Sequence, residues 1–228
     1  MIKRLLDALK NRLRIVLRYW RPWGYNAASY WHDRHRQYGF NLQGVGEKGL
    51  SAEQNQQVYD AAQNVYLKTC NAAGINLESS SVLDVGCGNG FYTQLLCDEG
   101  THSYTGIDIA DTLFDELRTR FPEFTFLQID VTSQSLPGSY DLIQMIDVTQ
   151  HITSNSKFDS AMKNLSASLN PGGVIILTSW LQANLKHSFY EKSRTLAQYQ
   201  AAFPGFSFSE PVPFRDKYIF TLTQTDRN

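Results

Sequence analysis

The sequence predicts an α/β protein: a doubly wound, Rossmann-like sheet of seven mostly parallel strands, the last antiparallel, with an N-terminal helical extension. Three observations predict it. Short apolar runs alternate with helical patterns between residues 81 and 179, the rhythm of strand–helix–strand units that build a parallel sheet. Glycines at 86, 88 and 90 follow the first apolar run, and a helical pattern restarts at Phe91. Asp84, Asp108 and Asp130 each end a strand candidate, the edge at which such a sheet collects its ligand.

In chain order, Ile2, Leu5, Leu6, Leu9, Leu13, Val16, Leu17 and Trp20 recur at steps of three and four, one apolar stripe of a basic helix. Pro22 and Gly24 break it. An aromatic and polar segment from Trp23 to Gly39 follows. Ser51 with Gln54 reads as a capping box opening a helix over 51–73, closed near Gly74. Strands are expected over 81–85, 104–108, 124–129, 141–146 and 173–179, and helices over 91–99, 111–121 and 157–169. A further helix is expected over 185–202, then two closing strands at 206–208 and 218–223. Residues 1–50 are assigned to the amphipathic helix and an aromatic lid, and 51–228 to the ligand-binding domain.

The net charge of −1 hides a +6 excess over residues 1–21. Positive charge confined to one end argues against a nucleic-acid binder. It fits an anionic membrane surface; packing on the domain itself or on a partner protein is the plainer account, and an organelle transit peptide is a third. Cys70, Cys87 and Cys97 form no C-x-x-C pair, which suits a reducing cytoplasm. Cys87 has no basic neighbour in sequence to activate it.

The pattern Asp84-x-Gly86-x-Gly88-x-Gly90 differs from the G-x-G-x-x-G of dinucleotide sites. An acid before alternate glycines suits a ligand with a cationic amino-acid end. This loop resembles the first motif of the class I S-adenosylmethionine-dependent methyltransferases, of the type that acts on small molecules. Gly106-Ile107-Asp108-Ile109, Gln128-Ile129-Asp130-Val131, Tyr140 to Asp147, and Leu169 to Ile176 are similar to the later motifs, in the same order.

The resemblance implies S-adenosyl-L-methionine as cofactor. Asp108 would bind the ribose hydroxyls, Asp130 the adenine amine and Val131 a ring nitrogen through its N–H. Asp84, the three glycines, Ile109 and Ile146 would complete the site. Tyr30 and Trp31, with Tyr25, would form a lid whose aromatic faces attract the sulfonium. The place of the base-methylating N/D-P-P-F/Y/W motif reads Asp147-Val148-Thr149-Gln150, which disfavours nucleic-acid substrates.

The expected reaction is therefore methyl transfer to a small-molecule acceptor, at oxygen, with no metal. His151, just past the fourth strand and with an ordinary pKa of ~6.5, is the candidate base; packing against the cofactor is its other role. His32 and His35 are second choices. An N-methyltransferase, or an inactive cofactor-binding subunit docked on a partner enzyme, are the alternatives.

Overall fold

The computed structural model describes residues 17–21, 24–46, 49–183 and 188–225. Most of the expected basic helix of residues 2–20 lies outside them, and with it the membrane or partner contact read into residues 1–21.

The described chain opens with a two-stranded ribbon, β1 (Trp20–Arg21) and β2 (Gly24–Tyr25), followed by α1 (Ala27–Tyr38) and α2 (Ala52–Ala72). Asn26 caps α1 by accepting from Ser29 N–H, and Ser51 with Gln54 forms the predicted capping box on α2. Then come β3 (Ser81–Val85), α3 (Phe91–Asp98), β4 (Ser103–Asp108), α4 (Phe114–Arg120), β5 (Thr125–Gln128) and β6 (Tyr140–Met145). The chain closes with α5 (Asn155–Ala167), β7 (Leu169–Ser179), α6 (Leu196–Ala202), β8 (Phe206–Phe208), β9 (Val212–Phe214) and β10 (Lys217–Gln224).

The sheet runs β5-β4-β3-β6-β7-β10-β8. β3 to β7 pair in parallel, and β10 runs antiparallel to β7 and β8. The chain therefore leaves β3 toward β4 on one side and returns to β6 on the other. That reversal opens a crevice at the carboxyl ends of the strands. Side chains alternate across the sheet with period two. Val82, Leu142 and Ile176 join Tyr66, Leu96 and Phe126 in one core layer; Leu83, Ile143 and Ile175 join Met162, Leu165 and Phe220 in the other.

Four expectations are corrected. Seven strands lie on the path, but β9 adds an eighth by pairing with the start of β10. β7 begins at Leu169 rather than 173, because the Pro171-Gly172 reversal is absorbed as an irregularity opposite Tyr140–Leu142. The α4 helix starts three residues late, after a turn at 111–113. The helix expected over 185–202 is confined to Leu196–Ala202 among the described residues. There Arg194 is buried and its guanidinium donates to the carbonyls of Thr149 (3.2 Å) and Ile152 (2.6 Å), stacked 3.9 Å over Phe158. These bonds hold residues 188–194, a turn at 188–190 followed by irregular chain, as a strap over the 149–154 loop, and Thr195 caps a new helix.

Arg194→Ala leaves buried carbonyls without donors and should cost about 2–3 kcal/mol in urea unfolding; a loss under half that would mean water replaces the guanidinium.

Candidate functional site

A cavity of about 420 Å³ lies in the crevice at the carboxyl edge of β3, β4 and β6, roofed by α1. Its floor is the turn from β3 into α3. Gly86 (φ +81°) and Gly90 (φ +78°) hold left-handed conformations that favour glycine. A Cβ at Gly86 would sit 2.3 Å from Val148 Cγ2, and one at Gly90 2.5 Å from Leu117 Cδ2. The backbone can therefore pack closely against both α4 and the segment after β6.

Asp108 ties this turn to the next strand. Its Oδ2 accepts from Gly88 N–H (3.1 Å) and its Oδ1 from Ala110 N–H (2.9 Å), and it lines the cavity with Ile109. Asp130 and Val131 line the same wall. Asp130 Oδ1 is taken by Thr132, from both its N–H (2.9 Å) and its hydroxyl (2.6 Å), so this acid also makes the turn after β5. Asn164 Nδ2 donates to the Val131 carbonyl at 2.8 Å and fixes that peptide. Ile146 completes the floor.

Asp84 and Gly90 are not among the lining residues, a correction to the expectation of a carboxylate beside the ligand. Asp84 stands behind the turn, where it accepts from Tyr104 Oη at 2.8 Å. Burial pushes its pKa up to about 6 against that hydrogen bond. Cys87 is buried with its thiol pushed well up by desolvation, and so is not a nucleophile.

The roof comes from two distant pieces of chain. Trp31 and Tyr25 line the cavity, whereas Tyr30 does not. Tyr30 is buried one layer back, stacked on Tyr190 at 4.7 Å and edge-on to Trp31 at 5.4 Å. Neither Phe189 nor Tyr190 carried a sequence signal, since a single Phe-Tyr pair in a polar stretch matches no motif. The two second-choice histidines also part company. His35 is buried at the cavity wall, while His32 turns outward, its Nδ1 3.0 Å from Thr112 Oγ1.

His151 lines the cavity between these pieces. Its ring meets Trp31 edge-on at 4.9 Å and lies nearly parallel to Tyr190 at 5.7 Å. Tyr25 Oη donates to its carbonyl at 2.7 Å. Nδ1 lies 3.2 Å from the Tyr190 carbonyl, which can only accept. The ring hydrogen therefore sits on Nδ1, and Nε2 carries the lone pair. Burial lowers the pKa to about 4, despite the Tyr190 bond that favours the charged form. The expected titration near neutrality is corrected: the ring stays uncharged there.

Asp147, next along this wall, has φ +57° without being glycine. Arg215 Nη1 and Lys217 Nζ (3.3 Å) both pair with its carboxylate, and Arg215, itself at φ +55°, stacks 3.7 Å over Tyr59. Burial opposes the charge on Asp147, but Lys217 and Arg215 outweigh it and hold the pKa below the usual range. Sequence reading missed both cations, because the β9–β10 turn brings Arg215 in from 68 residues away and Lys217 from two residues further. Among the described residues, no group of three His, Cys, Asp or Glu could hold a metal ion, and no helix is long and apolar enough to cross a membrane.

Residues 82–173 match the family model described as a methyltransferase domain. Over that stretch the chain is similar to the class I S-adenosylmethionine-dependent methyltransferases. The domain is 30% identical to a malonyl-[acyl-carrier protein] O-methyltransferase of Acetivibrio thermocellus, over 66% of this chain and 56% of the relative. It is also 30% identical to a ubiquinone biosynthesis O-methyltransferase of Xanthomonas campestris, over 47% and 46%. The chain thus spans about half the length of the curated relatives it matches. A magnesium protoporphyrin IX methyltransferase from Synechocystis with bound S-adenosylhomocysteine shares the fold, with a TM-score of 0.62 at 19% identity over 87% of this chain and 99% of that one. A 1,6-didemethyltoxoflavin-N1-methyltransferase of Burkholderia thailandensis does so at 0.63 and 16%, over 88% and 89%.

S-adenosylmethionine is the cofactor of this methyltransferase family. The cavity fits it on one observation: His35 Nδ1 is buried at the wall with no partner.

The lowered His151 pKa fixes a pH effect on stability. Unfolded, the ring takes a proton below about 6.5; folded, it resists until about 4. The unfolded chain binds more protons in that window, so stability should fall as pH drops through it. His151→Phe should flatten this limb in denaturant titrations run between pH 7 and 4, and an unaltered slope would place the titration elsewhere.

Proposed function

We propose that this chain methylates an uncharged hydroxyl of a small molecule, with His151 as the base. The observation that carries the reading is the pairing state at the end of β6. His151 is neutral with its lone pair on Nε2, while Asp147 is already matched by Arg215 and Lys217. With Asp108 and Asp130 given to the cofactor, no lining carboxylate is left to draw in a cationic amine.

When bound, S-adenosylmethionine supplies an electrophilic methyl group on a sulfonium. Asp108 would accept from its ribose hydroxyls through the remaining lone pairs, Asp130 from its adenine amine, and Val131 would offer an N–H to the ring, with Ile109 and Ile146 as apolar lining. The turn from Gly86 to Gly90 gives the amino-acid end its room, with Asp84 bracing it from behind. Trp31 and Tyr25 exclude water and turn aromatic surface to the positive charge; Tyr30 holds Trp31 in place. His151 takes the acceptor's proton at Nε2, and the Tyr190 carbonyl steadies the charge that results. A base this weak suits a hydroxyl that ionises readily, a phenol or enol, better than an aliphatic alcohol.

The test is a panel of phenols, enols and amines incubated with labelled S-adenosylmethionine, with products identified by mass spectrometry. O-methylated phenols or enols are expected; methylation of amines alone would overturn the reading. His151→Ala should lower turnover roughly 10²–10⁴-fold with S-adenosylhomocysteine affinity nearly unchanged. Native turnover should be flat above about pH 5, because the ring is already neutral there. Asp108→Ala should weaken S-adenosylhomocysteine by ~1–3 kcal/mol in calorimetry; an unchanged affinity would remove Asp108 from the ribose.

A further inference from the structure

His35 is a polar side chain with nothing to bond to. It is 2% exposed, yet it lines the cavity and its Nδ1 has no hydrogen-bond partner. The one contact described for the ring is with the face of Trp31, at 5.8 Å. Trp31 and His35 are one helical turn apart on α1, so both project from the same face onto the cavity. A buried nitrogen without a partner costs free energy, and a ligand in the cavity is the available source of one.

The surroundings narrow the ligand group. The charged and titratable groups near the ring are Asp108, Arg34 and His32. Arg34 is committed elsewhere: its guanidinium donates to Tyr30 Oη (3.1 Å) and to the carbonyls of Gln43 (3.2 Å) and Gly46 (2.8 Å). His32 faces Thr112 on the outer surface. That leaves Asp108 as the neighbour sharing the cavity. Each Asp108 oxygen already takes one backbone N–H, so each keeps a lone pair for a hydroxyl donor. Hydroxyls that donate to a carboxylate still carry lone pairs of their own, and a neutral imidazole N–H is a matching donor.

We infer that His35 is a second ligand of the cofactor's ribose diol, opposite Asp108, and that it couples seating of the α1 roof to cofactor binding. The inference rests on the methyltransferase reading of the cavity. It takes His35 out of contention as a catalytic base and makes it a cofactor-positioning residue.

The test is calorimetry with S-adenosylhomocysteine, its 2′-deoxy and 3′-deoxy analogues, and 5′-methylthioadenosine, which keeps the diol but lacks the amino acid. His35→Phe preserves the packing on Trp31 and should weaken S-adenosylhomocysteine and 5′-methylthioadenosine alike, by ~10- to 100-fold. On at least one deoxy analogue the penalty should shrink to within about twofold. His35→Asn, which keeps a polar group near the position of Nδ1, should recover part of the loss. A penalty confined to S-adenosylhomocysteine would give His35 to the carboxylate and overturn the inference. An equal penalty on every ligand, or none, would also overturn it. Failure of the unaltered protein to bind S-adenosylhomocysteine would overturn the cofactor reading along with it.

Discussion

Two hydrogen bonds to one carboxylate organise the site. Asp108 receives the N–H of Gly88 from the turn after β3 and the N–H of Ala110 from its own strand end. The first bond spans two neighbouring strands and sets how far the glycine turn stands off the sheet. The second curls the chain after β4 so that Ile109 faces the cavity. A turn with three left-handed glycines would otherwise have many conformations open to it. The buried acid on the adjacent strand, together with the Gly86 and Cys87 N–H bonds to the Ile107 carbonyl, selects one, and that one leaves a cavity at the carboxyl ends of β3, β4 and β6.

The chemistry of the cavity follows from how its charges are matched. Asp147 sits where a free carboxylate would dominate the electrostatics of the acceptor end. Arg215 and Lys217 neutralise it, and they arrive on a hairpin whose turn residue adopts the same unusual backbone region as Asp147. Breaking a buried pair of this kind leaves an uncompensated charge, so the hairpin and the end of β6 hold one another in place. His151 meets the opposite solution: removed from water and bonded to a carbonyl, it gives up its charge. The end of β6 thus carries little net charge, because Asp147 and Asp216 balance Arg215 and Lys217 while His151 is neutral.

What the sequence made legible was periodic or local. The parallel strands, the capping box at Ser51 and the acids at 108 and 130 depend on neighbours within a few residues, and each stands where the pattern put it. Asp84 shows the limit of that reading. Its place at a strand end was correct, but whether the side chain meets the cavity or the protein is decided by Tyr104, on another strand. The strap before α6 read as helix because its composition permits one; the buried guanidinium of Arg194 overrides that propensity. Tyr190, Arg215 and Lys217 were invisible for a related reason, since their roles exist only once the β7–β10 half of the sheet has brought them across the crevice.

The roof has a consequence for how the chain comes to exist. Tyr30 finds its stacking partner in Tyr190, 160 positions later. During synthesis the first half of the roof and all of the parallel strands emerge before that partner does. Until then Tyr30 has Tyr19, Tyr25 and Trp31 beside it but no ring stacked on its face. Segments in that condition are the ones that associate wrongly or recruit chaperones. The late aromatic pair therefore closes the outer layer of the roof: a chain cut short before residue 189 would lack both the ring that stacks on Tyr30 and the carbonyl that holds the His151 ring.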